Sequence, residues 1–565
     1  MIKKRIKILR DKFKEHNIDG YLIPKNDEFF SEYSVIDRLK TISGFTGSAG
    51  IAVILKNKNY LFVDGRYTIQ AENECAQSFK IIETNKGLNP SIIKGLTLGL
   101  DPKLFTNKQI KYFFSDTVKL NFINENLIDK IYKPKIIKTK SFFSLSKNIT
   151  GENYKSKINK VVNFLKKNKI DYLFISAPEN VAWLLNIRGY DNPNSPIPNC
   201  RIIIGKNKKL FFISNKQKTS VLRKEKKIYL NQLVEPEQFK ALINRLKGKY
   251  FLIDTQSCSI FNEQIIRSNF KIKEMNDPCY KFKSIKNSTE IRNMINAHIE
   301  DGLALTRFIY WIKHENKRKI TEVDAQNKLE KFRKLNKNYL FPSFNTIAGA
   351  GSNGAIVHYR ATKRNTKTIN KKDIFLCDSG GQYKYGTTDV TRTICFTNQK
   401  KIIKDNFTKV LKGHIAVVKT NLMKDNTGKK IDIRARKFLK KDGLDYAHGT
   451  GHGVGFYLNV HEGPQSISKF NTIKLTKGMI LSNEPGYYKK NHYGIRIENL
   501  IYIKQYKKNL IFENLTLAPI EKDLINFNLL DKNEKDYLFK YHLNIYAQYS
   551  KFLNLKERKW LASLI

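Results

Sequence analysis

The run "DIFLCDSGGQYKYGTTDVTRTICF", residues 373–396, places Asp378 and Asp389 within an apolar and Thr-rich stretch. An apolar segment leads to Asp378, "SGGQYKYG" supplies a turn, and Asp389 enters a run of high β-propensity. The pattern predicts a β-hairpin. Its strands bring carboxylates eleven residues apart in sequence into proximity. Two carboxylates in an apolar hairpin repel, and desolvation adds to the cost. A positive group is therefore expected between them, and a metal ion is the simplest.

Further along, "HGTGHGVGFYLNVHEGP" (448–464) holds three of the chain's ten histidines, His448, His452 and His461. The i, i+4 spacing of His448 and His452 would suit a zinc pair on a helix. Glycines at 449, 451, 453 and 455 make a helix implausible. In an extended chain the two share a face, up to about 13 Å apart, so one ligand with one helper is the economical reading. In "GMILSNEPGYY" (478–488), Glu484 ends an apolar run and Pro485 holds it in the β region; alone it is also an ordinary turn residue. In "YGIRIENLIYI" (493–503), alternation sets Arg496 and Glu498 on one face, where the Arg would keep the acid ionised or simply form an ion pair. Together these are four carboxylates with one to three histidines and no thiolate, a set that favours hard-to-borderline ions such as Mn or Co. Four negative charges balance two divalent cations, which points to a two-metal site with a bridging water or hydroxide.

The rest of the chain frames this region. At 565 residues several domains are expected. "LRDKFKEHNIDGYLIP" (9–24) and "VVNFLKKNKIDYLFIS" (161–176) are alike: an amphipathic helix, a polar turn and an apolar strand. Each is followed by two apolar runs joined by a polar turn, "KNKN" or "GKNKK", as in a hairpin. A duplicated α/β unit is inferred. A third region opens at "KSIKNSTEIRNMINAHIEDGLALTRFIYWI" (283–312). Asn287 and Glu290 have capping-box spacing, and Ile291, Met294, Ile295, Ile299 and Leu303 mark an apolar face. The helical tail from about residue 515 reads as a packed appendage or an oligomer contact. Six scattered cysteines without a C-x-x-C pair argue against a zinc knuckle or a disulfide framework. The formal charge of +52 is spread over every segment, which fits compositional drift better than a nucleic-acid surface. No membrane-spanning run and no signal peptide are read, so a cytoplasmic protein is expected.

The motifs resemble the metal-site motifs of the pita-bread metallopeptidases, and among them the cytosolic three-domain Xaa-Pro aminopeptidases (aminopeptidase P). The resemblance rests on "DSGGQYKYGTTDVTRT", "HGTGHGVGFYLNVHEGP", "SNEPGYY" and "GIRIEN". It extends to "PSFNTIAGAGSNGAIVHYR", "ISGFTGSAG", "FVDGRYTIQAE", "ENVAWLLNIRG" and "FENLTLAPIEKDLI", and so to nearly the whole chain. It implies an α/β (α+β) fold. Two related creatinase-like N-terminal α/β domains (1–147 and 148–283) would precede a pita-bread catalytic domain (284–505) with a helical C-terminal extension (506–565). It implies two divalent metal ions, Mn foremost with Co or Zn as alternatives, held by Asp378, Asp389, His452, Glu484 and Glu498. Asp389 and Glu498 would bridge the ions. His358, His448 and His461 would hold substrate and steady the tetrahedral intermediate, and Tyr488 would contact substrate. Glu484 would shuttle a proton, and Arg496 would orient Glu498. The implied reaction is attack of a metal-bridging hydroxide on the Xaa-Pro bond of peptides with proline at position two, by a homodimer without nucleic-acid or membrane partners. Ser352 stands where the family often has proline, which bears only on local loop shape. The rivals are a prolidase acting on Xaa-Pro dipeptides, a methionine aminopeptidase, usually about half this length, and an inactive relative serving as a binding module. All five candidate ligands stand here, which argues against the last.

Overall fold

A computed structural model describes all residues except 85–89, 115–117, 134–139 and 316–318. The chain divides into two compact units, Met1–Tyr280 and Lys281–Ile565. The first unit contains two six-stranded mixed sheets of identical connectivity. In one, Gly20–Pro24 lies between the hairpin Ile51–Leu55/Asn59–Val63 on one side and Thr97–Leu100 on the other. In the other, Tyr172–Ile175 lies between the hairpin Arg201–Gly205/Leu210–Ile213 and Tyr250–Ile253. Each central strand is antiparallel to its hairpin and parallel to its other neighbour. The two similar helix–turn–strand segments therefore occupy equivalent places, which is what a duplicated α/β unit requires. The central strands are apolar without alternation (Leu173, Phe174 and Ile175 are all buried) because helices cover both faces.

The second unit is built from antiparallel sheets against long helices. Asp378 lies on Phe375–Ser379, the middle of three strands between Ile347–Ala350 and Val390–Ile394. The register pairs Asp378 with Thr391, so Asp389 stands just before the partner strand. The connection is more than a turn: Gly381–Tyr383 and Gly386–Thr387 form a further sheet with Tyr339–Pro342. A five-stranded sheet carries Gly451–Gly453, Ile480–Asn483 and Asn499–Tyr506 in its middle. The run read as one alternating strand is in fact split. Tyr493–Arg496 pairs with Gly486–Lys489, Asn499–Tyr506 pairs with Ile480–Asn483, and Glu498 sits at the corner between the two sheets.

Helix Ser288–His314 begins at the Asn287/Glu290 capping box. Its buried face matches the expected one only in part: Met294 is buried and Ile299 and Leu303 pack on the core partly exposed. Met294, Ala297, His298, Asp301 and Leu305 are fully buried, whereas Ile295 and Ile299 line a side cavity of about 300 Å³ next to the C-terminal helix Lys532–Tyr549. The apolar stripe misleads because the C-terminal extension covers only part of it, while the sheet side of the helix accepts Asp301, paired with Arg333, and His298, bonded through Nδ1 to the Met294 carbonyl. The extension packs through Leu538, Tyr541, Ile545, Tyr549 and Leu561 into the core of the second unit. All six cysteines are free and buried. Among the described residues, no helix is long and apolar enough to cross a membrane.

Candidate metal centre

Three sheets meet at the corner occupied by Glu498, and acids from their strands and the segments between them gather there. Asp378 comes from the strand Phe375–Ser379, Asp389 from the position just before Val390–Ile394, and His452 from the short strand Gly451–Gly453. Glu484 follows Ile480–Asn483, its amide donating to the Thr450 carbonyl at 2.8 Å. The Glu498 amide donates to the Thr391 carbonyl at 3.1 Å, and its Oε2 accepts from Thr391 Oγ1 at 2.6 Å. Ligand atoms of Asp389, His452 and Glu498 all lie within 4.8 Å of one another.

The electrostatics of this corner ask for a cation. His452 Nδ1 stands 2.9 Å from the Gly453 carbonyl, so Nδ1 carries the hydrogen. The Nε2 lone pair then faces Asp389 Oδ2 at 3.3 Å and Glu484 Oε1 at 3.5 Å. A lone pair against two carboxylate oxygens is repulsive unless a proton or a metal ion lies between them. In the chain alone the proton takes that place: burial opposes the imidazolium, but the Asp389 and Glu484 carboxylates outweigh it, and the pKa rises to about 9. Burial, opposed by Arg496 and reinforced by Asp389, pushes Asp378 up to about 7. Burial and neighbouring carboxylates likewise push Glu484 and Glu498 upward. Asp378 Oδ1 is buried with no hydrogen-bond partner among the described residues. An orphaned carboxylate oxygen, an aimed imidazole and four mutually repelling acids fit a site for divalent cations.

Arg496 is fully engaged, but not as expected. It donates to Asp378 Oδ2 at 2.6 Å, to the Tyr488 hydroxyl at 2.6 Å and to Thr391 Oγ1 at 3.0 Å. Glu498 meets Arg496 only through Thr391, because the strand ends at Arg496 and the chain turns before the acid. Arg496 does favour the ionised form of Glu498 as expected, but in the chain alone burial and the other acids outweigh it.

The three histidines of 448–464 separate. The His461 ring stands edge-on to His452 at 4.2 Å and is exposed. His448 turns the other way, its Nδ1 on the Gly449 carbonyl at 2.7 Å and its Nε2 2.9 Å from the Tyr488 hydroxyl. Arg496 donates to Tyr488, and Tyr488 donates to His448, so one polarised chain links the acid corner to His448. His358 is half-buried just after the turn Gly351–Ala355, which packs on the strand carrying Arg496 through Gly354 and Gly494. At Gly494 a Cβ would stand 1.7 Å from the Gly354 carbonyl oxygen, so only glycine allows this approach.

Sequence reasoning missed the supports. Ser482 Oγ accepts from the His452 amide at 2.9 Å and donates to Glu484 at 3.0 Å. Arg436 donates to the His448 carbonyl at 2.6 Å while paired with Asp432, which accepts from Thr450. The i, i+4 spacing of Asp432 and Arg436 was a visible signal, though it reads as a solvated helix face. Glu462, beside His461, is held by buried Lys286 and Lys283. A second acid group, Cys395, Glu521 and Asp523, is already served by the Lys313 ammonium at 2.6 and 3.0 Å from the two carboxylates.

Such a carboxylate-rich corner on antiparallel sheets, in a chain that begins with two α/β domains of like topology, defines a pita-bread metal-dependent hydrolase. The comparisons agree. Residues 292–505 match metallopeptidase family M24, 5–123 and 132–290 match the creatinase/prolidase N-terminal domain, and 508–564 match the C-terminal region of peptidase M24. A probable Xaa-Pro aminopeptidase P of Laccaria bicolor is 35% identical, covering 99% of this chain and 92% of the relative. Xaa-Pro aminopeptidase 1 of Dictyostelium discoideum is also 35% identical, covering 100% of this chain and 96% of the relative. The crystal structure of the X-prolyl aminopeptidase of Caenorhabditis elegans, described as cytosolic with a di-nuclear active site, superposes with a TM-score of 0.93 at 28% identity, covering 100% of this chain and 99% of that one. The chain belongs to the Xaa-Pro aminopeptidase family of M24 metallopeptidases.

Proposed function

We propose that this chain is a metal-dependent aminopeptidase that releases the first residue from peptides with proline at position two. The observation that carries the reading is the His452 Nε2 lone pair aimed at Asp389 and Glu484 within a set of four carboxylates. Asp378, Asp389, His452, Glu484 and Glu498 would hold two divalent ions, manganese foremost, with cobalt or zinc as alternatives. Asp389 and Glu498 are assigned to both ions, Asp378 to one, His452 and Glu484 to the other. When bound, such ions lower the pKa of a water, polarise the scissile carbonyl and position the substrate.

The chain's own residues do the rest. Glu484 is the most open of the acids, with 17% of its side chain exposed against 5% for Asp389, and its pKa is raised. That suits it to take a proton from the attacking water and pass it to the leaving proline nitrogen. His461, exposed beside His452, and His448, tied to Tyr488, are assigned to the substrate carbonyl and the proline ring. His358 is assigned to the same task, and Tyr488 to contact with the peptide. Proline has no N–H to offer, so shape and imidazole contacts replace a backbone bond. Arg496 holds Asp378 and Tyr488 in place. We divide the chain into 1–147, 148–283, 284–505 and 506–565, with the site in the third segment, and take the enzyme to be a cytosolic homodimer. Light scattering is expected to give twice the chain mass of 65.8 kDa.

The deciding experiment assays Xaa-Pro-Xaa peptides and Xaa-Pro dipeptides with added Mn, before and after a chelator. Release of the first residue from the longer peptides, abolished by the chelator, is expected. Hydrolysis of dipeptides alone would make the protein a prolidase. Absence of both activities and of metal uptake would make it a binding module.

A further inference from the structure

Arg392 is 1% exposed, and among the described residues every hydrogen bond it makes ends on a neutral oxygen. Its guanidinium donates to the carbonyls of Thr391 and Glu498 at 2.8 and 2.6 Å, and to the Asn499 side chain at 2.8 Å. It also donates to the carbonyls of Ala518 and Pro519 at 2.8 and 2.9 Å, and to the Tyr541 hydroxyl at 3.0 Å. A buried guanidinium without a carboxylate partner is costly and needs a reason. Its neighbour supplies one. Thr391, on the opposite face of the same strand, holds the Glu498 side chain and amide. Consecutive residues thus grip Glu498 by its amide, its carbonyl and its carboxylate.

The outer half of that grip belongs to the C-terminal extension. Tyr541, on helix Lys532–Tyr549, places its hydroxyl 3.2 Å from Asn499 Nδ2 and 3.0 Å from the Ala518 carbonyl. The amide of Ile520 donates to His542 on the same helix, and Thr516 accepts from the Leu500 amide. Helix 532–549 therefore shapes segment 516–520, which lies against the strand that begins beside Glu498.

We propose that the C-terminal extension is a working part of the metal centre: Arg392 and Tyr541 are positioning residues that clamp the main chain at Glu498 and Asn499 and so set where the Glu498 carboxylate stands. This rests on the assignment of Glu498 as a metal ligand. Partners one layer behind a ligand typically carry about 10- to 100-fold in metal affinity or activity.

The test titrates metal-stripped full-length protein with Mn(II) alone by calorimetry, then measures kcat and KM of the loaded enzyme and its melting temperature. Tyr541→Phe removes only the hydroxyl; it is expected to weaken Mn binding roughly 10-fold and to lower kcat with KM little changed. Arg392→Lys is expected to do more, and should it not fold, Tyr541→Phe carries the test alone. Tyr549→Phe is the control: it removes a hydroxyl from the same helix whose bond ends on the Leu517 carbonyl, and it is expected to stay within about twofold of wild type in Mn affinity. A Tyr541→Phe variant that melts lower yet binds Mn like wild type overturns the proposal, as does a Tyr549→Phe loss as large as that of Tyr541→Phe. Glu498→Gln separates the two levels. If it loses Mn while Tyr541→Phe does not, only the clamp falls; if it keeps Mn, the ligand assignment falls and takes the clamp with it.

Discussion

Two acid clusters sit on opposite faces of strand Phe375–Ser379, and they are built on opposite rules. Behind Ser379, Asp301 accepts a two-pronged bond from Arg333 at 2.7 and 3.2 Å and another from the Tyr383 hydroxyl at 2.8 Å. Ser379 itself accepts from Arg333 at 3.0 Å. One carboxylate meets one guanidinium, and the account of charge and hydrogen bonds closes within the protein. At Asp378, one residue earlier on the other face, four carboxylates share one guanidinium and one imidazole, and a buried oxygen has no partner among the described residues. The matched cluster reads as structure and the unmatched one as a site that a cation completes.

Mutating each cluster tests that contrast, and the largest effect belongs to the unmatched side. Asp389→Asn is expected to lose metal, measured by elemental analysis after dialysis, and to lower kcat/KM on a Xaa-Pro peptide by on the order of 10³-fold or more. Its fold, read by circular dichroism, should survive, because the change relieves repulsion. Asp301→Asn should do the reverse. It leaves Arg333 buried with a neutral partner, at a cost of roughly 3–5 kcal/mol of unfolding free energy in urea titrations. At temperatures below its melt it should still take up metal. Equal metal loss in the two variants would abolish the distinction.

How much of this was legible follows the same divide. The acids of the unmatched cluster show in sequence because each interrupts or ends an apolar run, where a carboxylate is conspicuous. The duplicated α/β units show because helix–turn–strand periodicity is local, and the two sheets with like strand order bear that reading out. The matched cluster was invisible. Asp301 and Arg333 stand 32 residues apart on two helices with charged residues throughout, and Tyr383 comes 82 residues after Asp301. Thr391 and Ser482 were missed for another reason: in strands they are ordinary β-formers, and their tasks appear only when Glu498, 107 residues beyond Thr391, folds back onto the hairpin. The expected Arg496–Glu498 face failed because alternation cannot foresee a corner between two sheets.

A smaller effect sharpens the contrast inside the metal centre, between residues that would hold ions and residues that would hold substrate. His461→Ala removes a ring set edge-on to His452, and His448→Ala breaks the chain from Arg496 through Tyr488. Each is expected to keep its metal and to lose about 10²-fold in kcat/KM. His452→Ala should lose the metal as well. If all three lose metal alike, the histidines form one ligand cluster and the division of roles is wrong.

The smallest effect compares histidines by surroundings. His452, among carboxylates, is pushed up to about 9. His414 and His542 are buried away from carboxylates; burial first, then the charge of nearby Arg392, pushes them down to about 3 and about 4. His414 Nδ1 donates to the Asn483 carbonyl, and His542 Nε2 accepts from the Ile520 amide, so both are held neutral. A folded-state pKa below the unfolded value of about 6.5 means that the unfolded chain binds the extra proton first. These two groups are therefore neutral to stability above pH of about 6.5, and they destabilise the fold progressively as pH falls toward their folded values. At pH 5.5 the loss is about 1.4 kcal/mol for each. Urea titrations of metal-stripped protein between pH 7.5 and 5.5 measure it against His542→Gln, in which the pH slope should shrink by the share of one histidine. A variant slope equal to that of wild type would show that His542 is not held neutral by its burial.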